Sequence, residues 1–113
     1  MNKTIQYLDF ENVDIRLGTI ISAEENNNLN NPSIILKIDF GSNLGIKKSS
    51  AQLKKNYKPE NLINKQIIAV VNFEPKQVGK IISEVLVLGL PDENREPILV
   101  VPEKKLKNGI KLY

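Results

Sequence analysis

A polar segment between two apolar runs carries the side chains best suited to hold a ligand. The first run, residues 67–71, ends at Asn72, and the second begins at Val85. Pro75 has no N–H to give to a sheet and Gly79 can adopt a positive φ, so the intervening residues are expected to form a tight polar loop. The loop carries two cations and three neutral hydrogen-bonding side chains, which are Asn72, Lys76, Gln77, Lys80 and Ser83. This set predicts binding of a ligand rather than cleavage of a bond.

Two interpretations of these side chains are open. Lys76 and Lys80 could pair with phosphates, while Asn72 and Ser83 could bond a phosphate, a ribose or a base edge. Alternatively, Asn72 caps its own turn, and the hydroxyl of Ser83 is satisfied at a strand end.

A second polar set precedes this loop, in a lysine-rich part of the chain. Residues 34–58 contain six Lys and one Asp, whereas the whole chain has a net charge of only +3. In an extended strand Lys48 and Ser50 share one face, and Gln52 follows them. These residues and Lys37 of the preceding strand are predicted to face phosphates. The alternative is that the lysines solvate strand faces and protect sheet edges.

The composition argues against catalysis. Cys and His are both absent, which excludes disulfides, thiolate zinc sites, cysteine nucleophiles and imidazole acid–base chemistry. The carboxylate pairs Glu24/Glu25 and Asp92/Glu93 are sequence neighbours, and neighbours on a strand point apart. We therefore predict no enzymatic activity, no catalytic residue, no cofactor and no metal.

Length and hydropathy predict one cytoplasmic domain over residues 1–113. No apolar run approaches the roughly 20 residues that a membrane helix needs, and residues 1–7 lack the apolar region of a signal peptide. Membrane insertion is therefore not expected.

Short strands separated by Gly, Pro and Asn turns predict an all-β barrel. Ser33 to Phe40 alternates between apolar and polar residues, which is typical of a half-buried strand. Ile15 to Glu25 reads as the first strand, with Gly18 marking a bulge or a bend. Leu8 to Val13 reads as a short helix or turn.

Four segments resemble the tRNA-binding OB-fold domain that is appended to some methionyl-tRNA synthetases and also occurs alone in small bacterial proteins. They are residues 9–20, Ile46-Lys-Lys-Ser-Ser-Ala-Gln52, residues 57–72, and residues 72–89. Ser83-Glu-Val-Leu-Val-Leu-Gly89 is most similar to the CsaA-type export-related chaperone branch, whereas the tRNA-binding branch usually has Ser-x-Gly-Met at this point. Glu84 therefore places an anion where a phosphate would approach.

The resemblance implies a five-stranded OB-fold Greek-key barrel over about residues 15–90. A short N-terminal helix and C-terminal strands would flank it, with residues 1–14 and 91–113 serving as dimerisation elements. Three strands, Ile67–Val71, Val85–Leu90 and Ile98–Val101, are apolar on both faces, although a small barrel buries only one face of each strand. We interpret the surplus as the interface of a homodimer; the alternative is that the chain's own termini cover it.

Two functions follow from the resemblance and the charges. The first is a dimer that binds tRNA or other structured RNA; the second is a chaperone that holds unfolded or pre-secretory polypeptide in a dimer groove. In either case the predicted site residues are Lys37, Lys48, Ser50, Gln52, Asn72, Lys76, Lys80 and Ser83. Ionic strength separates the two, because salt weakens phosphate contacts much more than apolar ones.

Overall fold

The structure, a computed structural model, describes residues 3–27 and 32–113. Two short helices lie within these ranges, α1 (Tyr7–Glu11) and α2 (Pro59–Leu62). The strands are β1 (Ile15–Asn26), β2 (Ser33–Asp39), β3 (Ile46–Ala51), β4 (Gln66–Val70), β5 (Lys76–Val78), β6 (Ile81–Ser83), β7 (Leu86–Val87), β8 (Gly89–Pro91) and β9 (Pro97–Leu99). The all-β class, with an N-terminal helix and C-terminal strands, is confirmed.

Five strands form one antiparallel sheet in the order β3-β2-β1-β4-β7, which curls into a half-barrel. The strand β1 is long enough to pair with β4 along its first half and with β2 along its second half. The predicted alternation of β2 is confirmed: Ile34, Leu36 and Ile38 are buried, while Lys37 is exposed. Burial of this apolar face on the concave side of the sheet creates the core.

The prediction of a bulge at Gly18 was wrong, because Gly18 lies in regular register opposite Ile67. The irregularity falls two residues later, between Ile20 and Ser22. A Cβ atom on Gly18 would lie 2.6 Å from Ile38 Cγ2 and 2.8 Å from the ring of Phe40. Close packing of Ile38 and Phe40 therefore explains why this position carries a glycine.

The predicted polar loop was also wrong in part, because most of it forms the hairpin β5–β6. Lys76 pairs with Ser83 and Val78 with Ile81, which leaves Gly79 and Lys80 as a two-residue turn. Gly79 has φ = 64°, the left-handed conformation expected for it. A hairpin places its side chains on two defined faces, so the polar residues of this segment do not all point toward one ligand.

The residues after this hairpin close the open side of the half-barrel. The Glu84 N–H donates to the Lys48 carbonyl at 2.8 Å, which joins the chain to the edge of β3. Leu86 and Val87 then pair with Val70 and Ala69 of β4. The segment 84–87 therefore connects both sides of the curled sheet.

The C-terminal part of the chain packs against the first residues of β1. The hairpin β8–β9 is followed by a tail in which the Leu112 N–H donates to the Ile15 carbonyl at 2.8 Å, and Ile110 accepts from the Leu17 N–H at 3.0 Å. The predicted apolar run Val85–Leu90 is not one strand but is divided between β7 and β8. Neither helix within the described ranges is long and apolar enough to cross a membrane.

Candidate nucleic-acid interface

A groove of about 780 Å³ lies between β3, the hairpin β5–β6, β7 and the hairpin β8–β9. We call it the β3 groove. Four of the eight predicted site residues line it, namely Ser50, Gln52, Lys76 and Ser83. The other four, Lys37, Lys48, Asn72 and Lys80, do not line it. The structure therefore brings half of the predicted set together in this groove and leaves the other half outside its lining.

The lining of the β3 groove combines an apolar surface with a few charged groups. Its apolar part is formed by side chains that include Val85, Val87, Leu88, Pro97 and Leu99. Glu74, Glu84 and Lys76 supply its charged groups, and Phe73 is the aromatic residue among its lining residues. Sequence reasoning gave Phe73 no role, although an aromatic residue inside a polar segment is itself a signal of a binding surface.

The side chain of Ser83 is occupied by hydrogen bonds within the fold. Its Oγ accepts from the Ser50 N–H at 3.1 Å and donates to the Val85 carbonyl at 3.4 Å. The buried hydroxyl of Ser49 donates to the same carbonyl at 3.1 Å. A sheet edge leaves backbone N–H groups unpaired, and Ser83 satisfies one of them. This geometry favours the structural interpretation of Ser83 over direct contact with a ligand.

The side chain of Glu84, the next residue, also accepts a hydrogen bond from a backbone N–H of β3. Its Oε1 accepts from the Lys48 N–H at 3.0 Å, while its own N–H bonds the Lys48 carbonyl. The carboxylate therefore completes the attachment of this segment to β3, in addition to placing an anion in the groove.

Asn72 holds the N-terminal segment against the end of β4. Its Oδ1 accepts from the Asp14 N–H at 3.0 Å, and its Nδ2 donates to the Asn12 carbonyl at 2.8 Å. The Val71 N–H donates to the Asp14 carbonyl beside them. The expected bond to its own turn is thus replaced by two bonds to backbone about 60 residues earlier in the chain. Asn72 positions the start of the connection from β4 to β5.

The four predicted lysines are exposed, and one of them, Lys76, lines the groove. Lys37 and Lys48 lie directly opposite each other on neighbouring strands, and Lys80 lies in the hairpin turn. None of the four forms an ion pair with a carboxylate in residues 3–27 or 32–113. Like charges directly opposite each other destabilise a sheet, and an anion bound between them would relieve this repulsion. These cations are available for phosphates.

The arginines, in contrast, do not contribute to this surface. Arg16 Nε contacts Asp14 Oδ1 at 2.6 Å, and Nη1 donates to the Gly109 carbonyl at 3.0 Å. Arg95 lies in the turn between β8 and β9, with a left-handed backbone. Base-specific bidentate recognition by Arg is therefore not built into the face that carries the lysines.

The same turn contains a carboxylate with a perturbed pKa. The side chain of Asn56 donates to Asp92 at 2.9 Å, and the N–H groups of Glu96 and Asn94 donate to its other oxygen. These bonds lower the pKa of Asp92 below its usual value. The ionised form fixes the turn, so its contribution to stability is present above the ordinary pKa of Asp and is lost as the pH falls through the lowered value.

The change Ser83→Ala separates the two interpretations of this residue. We expect the free energy of unfolding to fall by about 1–2 kcal/mol, because the partly buried Ser50 N–H loses its acceptor. RNA affinity should stay within about twofold of wild type. Urea unfolding and an RNA titration measure both quantities, and Ser42→Ala, an exposed turn serine, is the control. Unchanged stability with a tenfold loss of RNA affinity would instead make Ser83 a contact residue.

Comparison with known sequences identifies the family. The family model of the tRNA binding domain matches residues 15–111. The methionine–tRNA ligase of Pyrococcus horikoshii is 35% identical over 108 residues, which cover 96% of this chain but 14% of that enzyme. The ligase of Nanoarchaeum equitans gives 35% identity with 96% and 13% coverage. The chain thus spans only about one seventh of the length of these relatives.

Solved structures of similar size share the fold along their whole length. The chaperone CsaA from Bacillus anthracis is 47% identical, with a TM-score of 0.90 and coverage of 98% of this chain and 100% of that one. The CsaA chaperone from Picrophilus torridus is 45% identical, with a TM-score of 0.89 and coverage of 97% and 100%. These matches agree with the curled five-stranded OB-like sheet described above. On the extent of the sequence match and the fold, this chain belongs to the family of tRNA binding domains.

Proposed function

We propose that this protein is a non-catalytic RNA-binding protein whose ligand is tRNA or an RNA of similar shape. The observation that carries the proposal is that the four predicted lysines are exposed and form no ion pair with a carboxylate of the described residues, in a chain of the tRNA binding domain family. Lys37, Lys48, Lys76 and Lys80 bind phosphates. Gln52 and Ser50 line the groove beside them, while Asn72 and Ser83 hold the surface in shape. A tRNA ligand would place the protein in the cytoplasm.

The recognition that we propose reads backbone shape more than sequence. A lysine binds a phosphate as a point charge, whereas planar bidentate readout of a base edge needs an arginine. The chain has only two arginines, and Arg16 is bonded to Asp14 and Gly109 within the fold. Phosphate contacts of this kind position an RNA without selecting its sequence.

We further propose that the protein acts as a homodimer. Support comes from the apolar side chains that one chain leaves in solvent on β8 and β9, where the cross-strand partners Leu90 and Ile98 are 65% and 43% exposed. Tyr7 and Leu8 of α1 are exposed as well. Pairing these surfaces in a second copy would remove them from water, as an obligate interface does.

A second candidate function is the binding of unfolded or pre-secretory polypeptide. The apolar lining of the β3 groove supports it, and the two similar solved structures are named chaperones. An extended segment could place apolar side chains against Leu88 and Leu99. This mode depends on apolar area, which salt does not weaken.

Salt dependence of binding tests the proposed function. Purified tRNA should bind the wild-type protein with log K falling linearly against log salt, by about 0.7–0.9 for each phosphate contact. Four lysine contacts predict a slope near −3 to −3.5. Fluorescence anisotropy with labelled tRNA between 50 and 200 mM salt measures it. Absence of salt-dependent tRNA binding, together with salt-insensitive binding of an unfolded polypeptide, would reject the RNA proposal in favour of the second.

A further inference from the structure

Phe73 is the aromatic residue that lines the β3 groove; the side chain of Tyr113 is also exposed but does not line it. Phe73 is 57% exposed and lies at the β3 groove, within the connection between β4 and β5. Phe40 is buried in the core, and the Tyr57 hydroxyl accepts from the Leu99 N–H at 3.0 Å. Tyr7 and Phe10 pack against each other with centroids 6.1 Å apart. In the described parts of the chain, Phe73 makes no contact with another aromatic ring, and more than half of the residue is exposed to a ligand.

The backbone fixes this ring on both sides. Asn72, directly before it, is held by two hydrogen bonds to Asn12 and Asp14. Pro75, two residues after it, has a fixed φ and leads directly into the hairpin β5–β6. A side chain attached to such a backbone loses little conformational freedom when a ligand binds, which is the advantage of a preorganised surface.

The charged groups beside the ring suit a base better than a phosphate. Glu74 and Glu84 also line the groove, and their carboxylates would repel a phosphate. A carboxylate accepts hydrogen bonds from the amino groups of base edges, however. The Lys48 and Lys80 side chains, which suit phosphates, lie on residues outside the groove lining, and Lys76 lies on its wall. The groove lining therefore combines groups that suit a base with one cation, Lys76, while the other phosphate-binding lysines lie outside it.

Resting on the proposed RNA-binding function, we propose that the β3 groove receives one unpaired nucleobase of the bound RNA, stacked on the ring of Phe73. The phosphates that flank this nucleotide pair with the lysines around the groove. Aromatic stacking accepts any base, because every base has a π face, and it is the usual way in which proteins hold unpaired nucleotides. The protein then distinguishes RNA with unpaired residues from a blunt duplex.

Two RNA hairpins of identical stem test this inference, one with a five-nucleotide single-stranded 3′ overhang and one blunt. We expect wild-type protein to prefer the overhang hairpin by about tenfold. Phe73→Leu keeps an apolar side chain but removes the π face, so it should abolish this preference. The affinity of this variant for the blunt hairpin, and the dependence of that affinity on salt, should remain at the wild-type values. Circular dichroism verifies that the variant is folded.

The absence of tryptophan from the chain supplies an independent readout. Phe73→Trp introduces a single tryptophan at the groove, whose emission lies at longer wavelength than that of the three tyrosines. Stacking of a base should quench this emission when the overhang hairpin is added. Ile82→Trp is the matched control. Ile82 is exposed on the adjoining hairpin β5–β6 but does not line the groove, so the emission of a tryptophan there should not change.

The outcomes distinguish this inference from the function on which it rests. Wild-type protein that binds neither hairpin would overturn both. If wild-type protein binds both hairpins with equal, salt-dependent affinity, only the stacked base is overturned. The same conclusion follows if Phe73→Leu lowers the affinity for both hairpins equally, or changes neither affinity. If Phe73→Leu instead weakens binding of an unfolded polypeptide and leaves the overhang preference intact, the groove binds apolar side chains and the stacked base is rejected.

Discussion

Replacement of Lys37, Lys48, Lys76 and Lys80 by Gln is expected to weaken tRNA binding by about 10³-fold at 0.1 M salt. Each lysine that neutralises a phosphate releases condensed counterions, and this release is worth roughly a five- to eightfold gain in affinity per contact at that salt concentration. The log–log salt slope should become shallower by about three units. The fold should persist, since the four side chains are exposed and removal of the Lys37–Lys48 repulsion does not cost stability.

A control variant that loses the same charge elsewhere separates the effect of where the four lysines lie from the effect of net charge. The tail lysines Lys104, Lys105, Lys107 and Lys111 are equally exposed, and they lie in the C-terminal segment, outside the lining of the β3 groove. Their replacement by Gln should change the tRNA affinity by less than tenfold, because it alters only the overall electrostatic potential of the protein. Equal losses in the two variants would show that net charge, and not the surface around the β3 groove, determines binding.

The parts of the fold that the sequence predicts are those governed by local period. The alternation along β2 follows from the pleat of the strand, and the predicted half-buried strand is confirmed by the burial of Ile34, Leu36 and Ile38 on one face. Gly18 was misread because its constraint comes from Phe40, 22 residues away, and local rules cannot report that distance. The hairpin β5–β6 was missed because Lys76 and Gln77 lack the apolar alternation of a strand.

In the candidate site, too, features set by the local sequence were predicted, whereas features set by distant residues were not. The lysines were predicted as exposed cations, because their chemistry keeps them in water wherever the chain runs. The roles of Asn72 and Ser83 depend on partners that the sequence separates from them, at Asn12, Asp14 and Ser50. Both interpretations of these residues were therefore open until the tertiary hydrogen bonds were known. The surface around Phe73 likewise exists only once the strands have come together.

The change Leu90→Asp is expected to raise the dissociation constant of the proposed homodimer by several orders of magnitude. In an isolated chain this side chain is mostly exposed, so the substitution should alter the stability of the monomer by no more than about 0.5 kcal/mol. In the dimer it would place an unpaired carboxylate beside Ile98 within an apolar interface, which costs several kcal/mol for each copy. Light scattering at micromolar concentration should report a dimer for wild type and a monomer for the variant.

The control for this prediction is Ile46→Asp. Ile46 is a similarly exposed apolar residue at the start of β3, and we place it outside the proposed interface, so this variant should remain a dimer. Because a dimer that buries such surfaces is stabilised by mass action, the midpoint of thermal unfolding should rise with protein concentration for wild type and for Ile46→Asp, but not for Leu90→Asp. A monomeric mass for wild-type protein, with an unfolding midpoint that is independent of concentration, would instead show that the apolar surface of β8 and β9 stays in solvent. The RNA surface would then belong to a single chain.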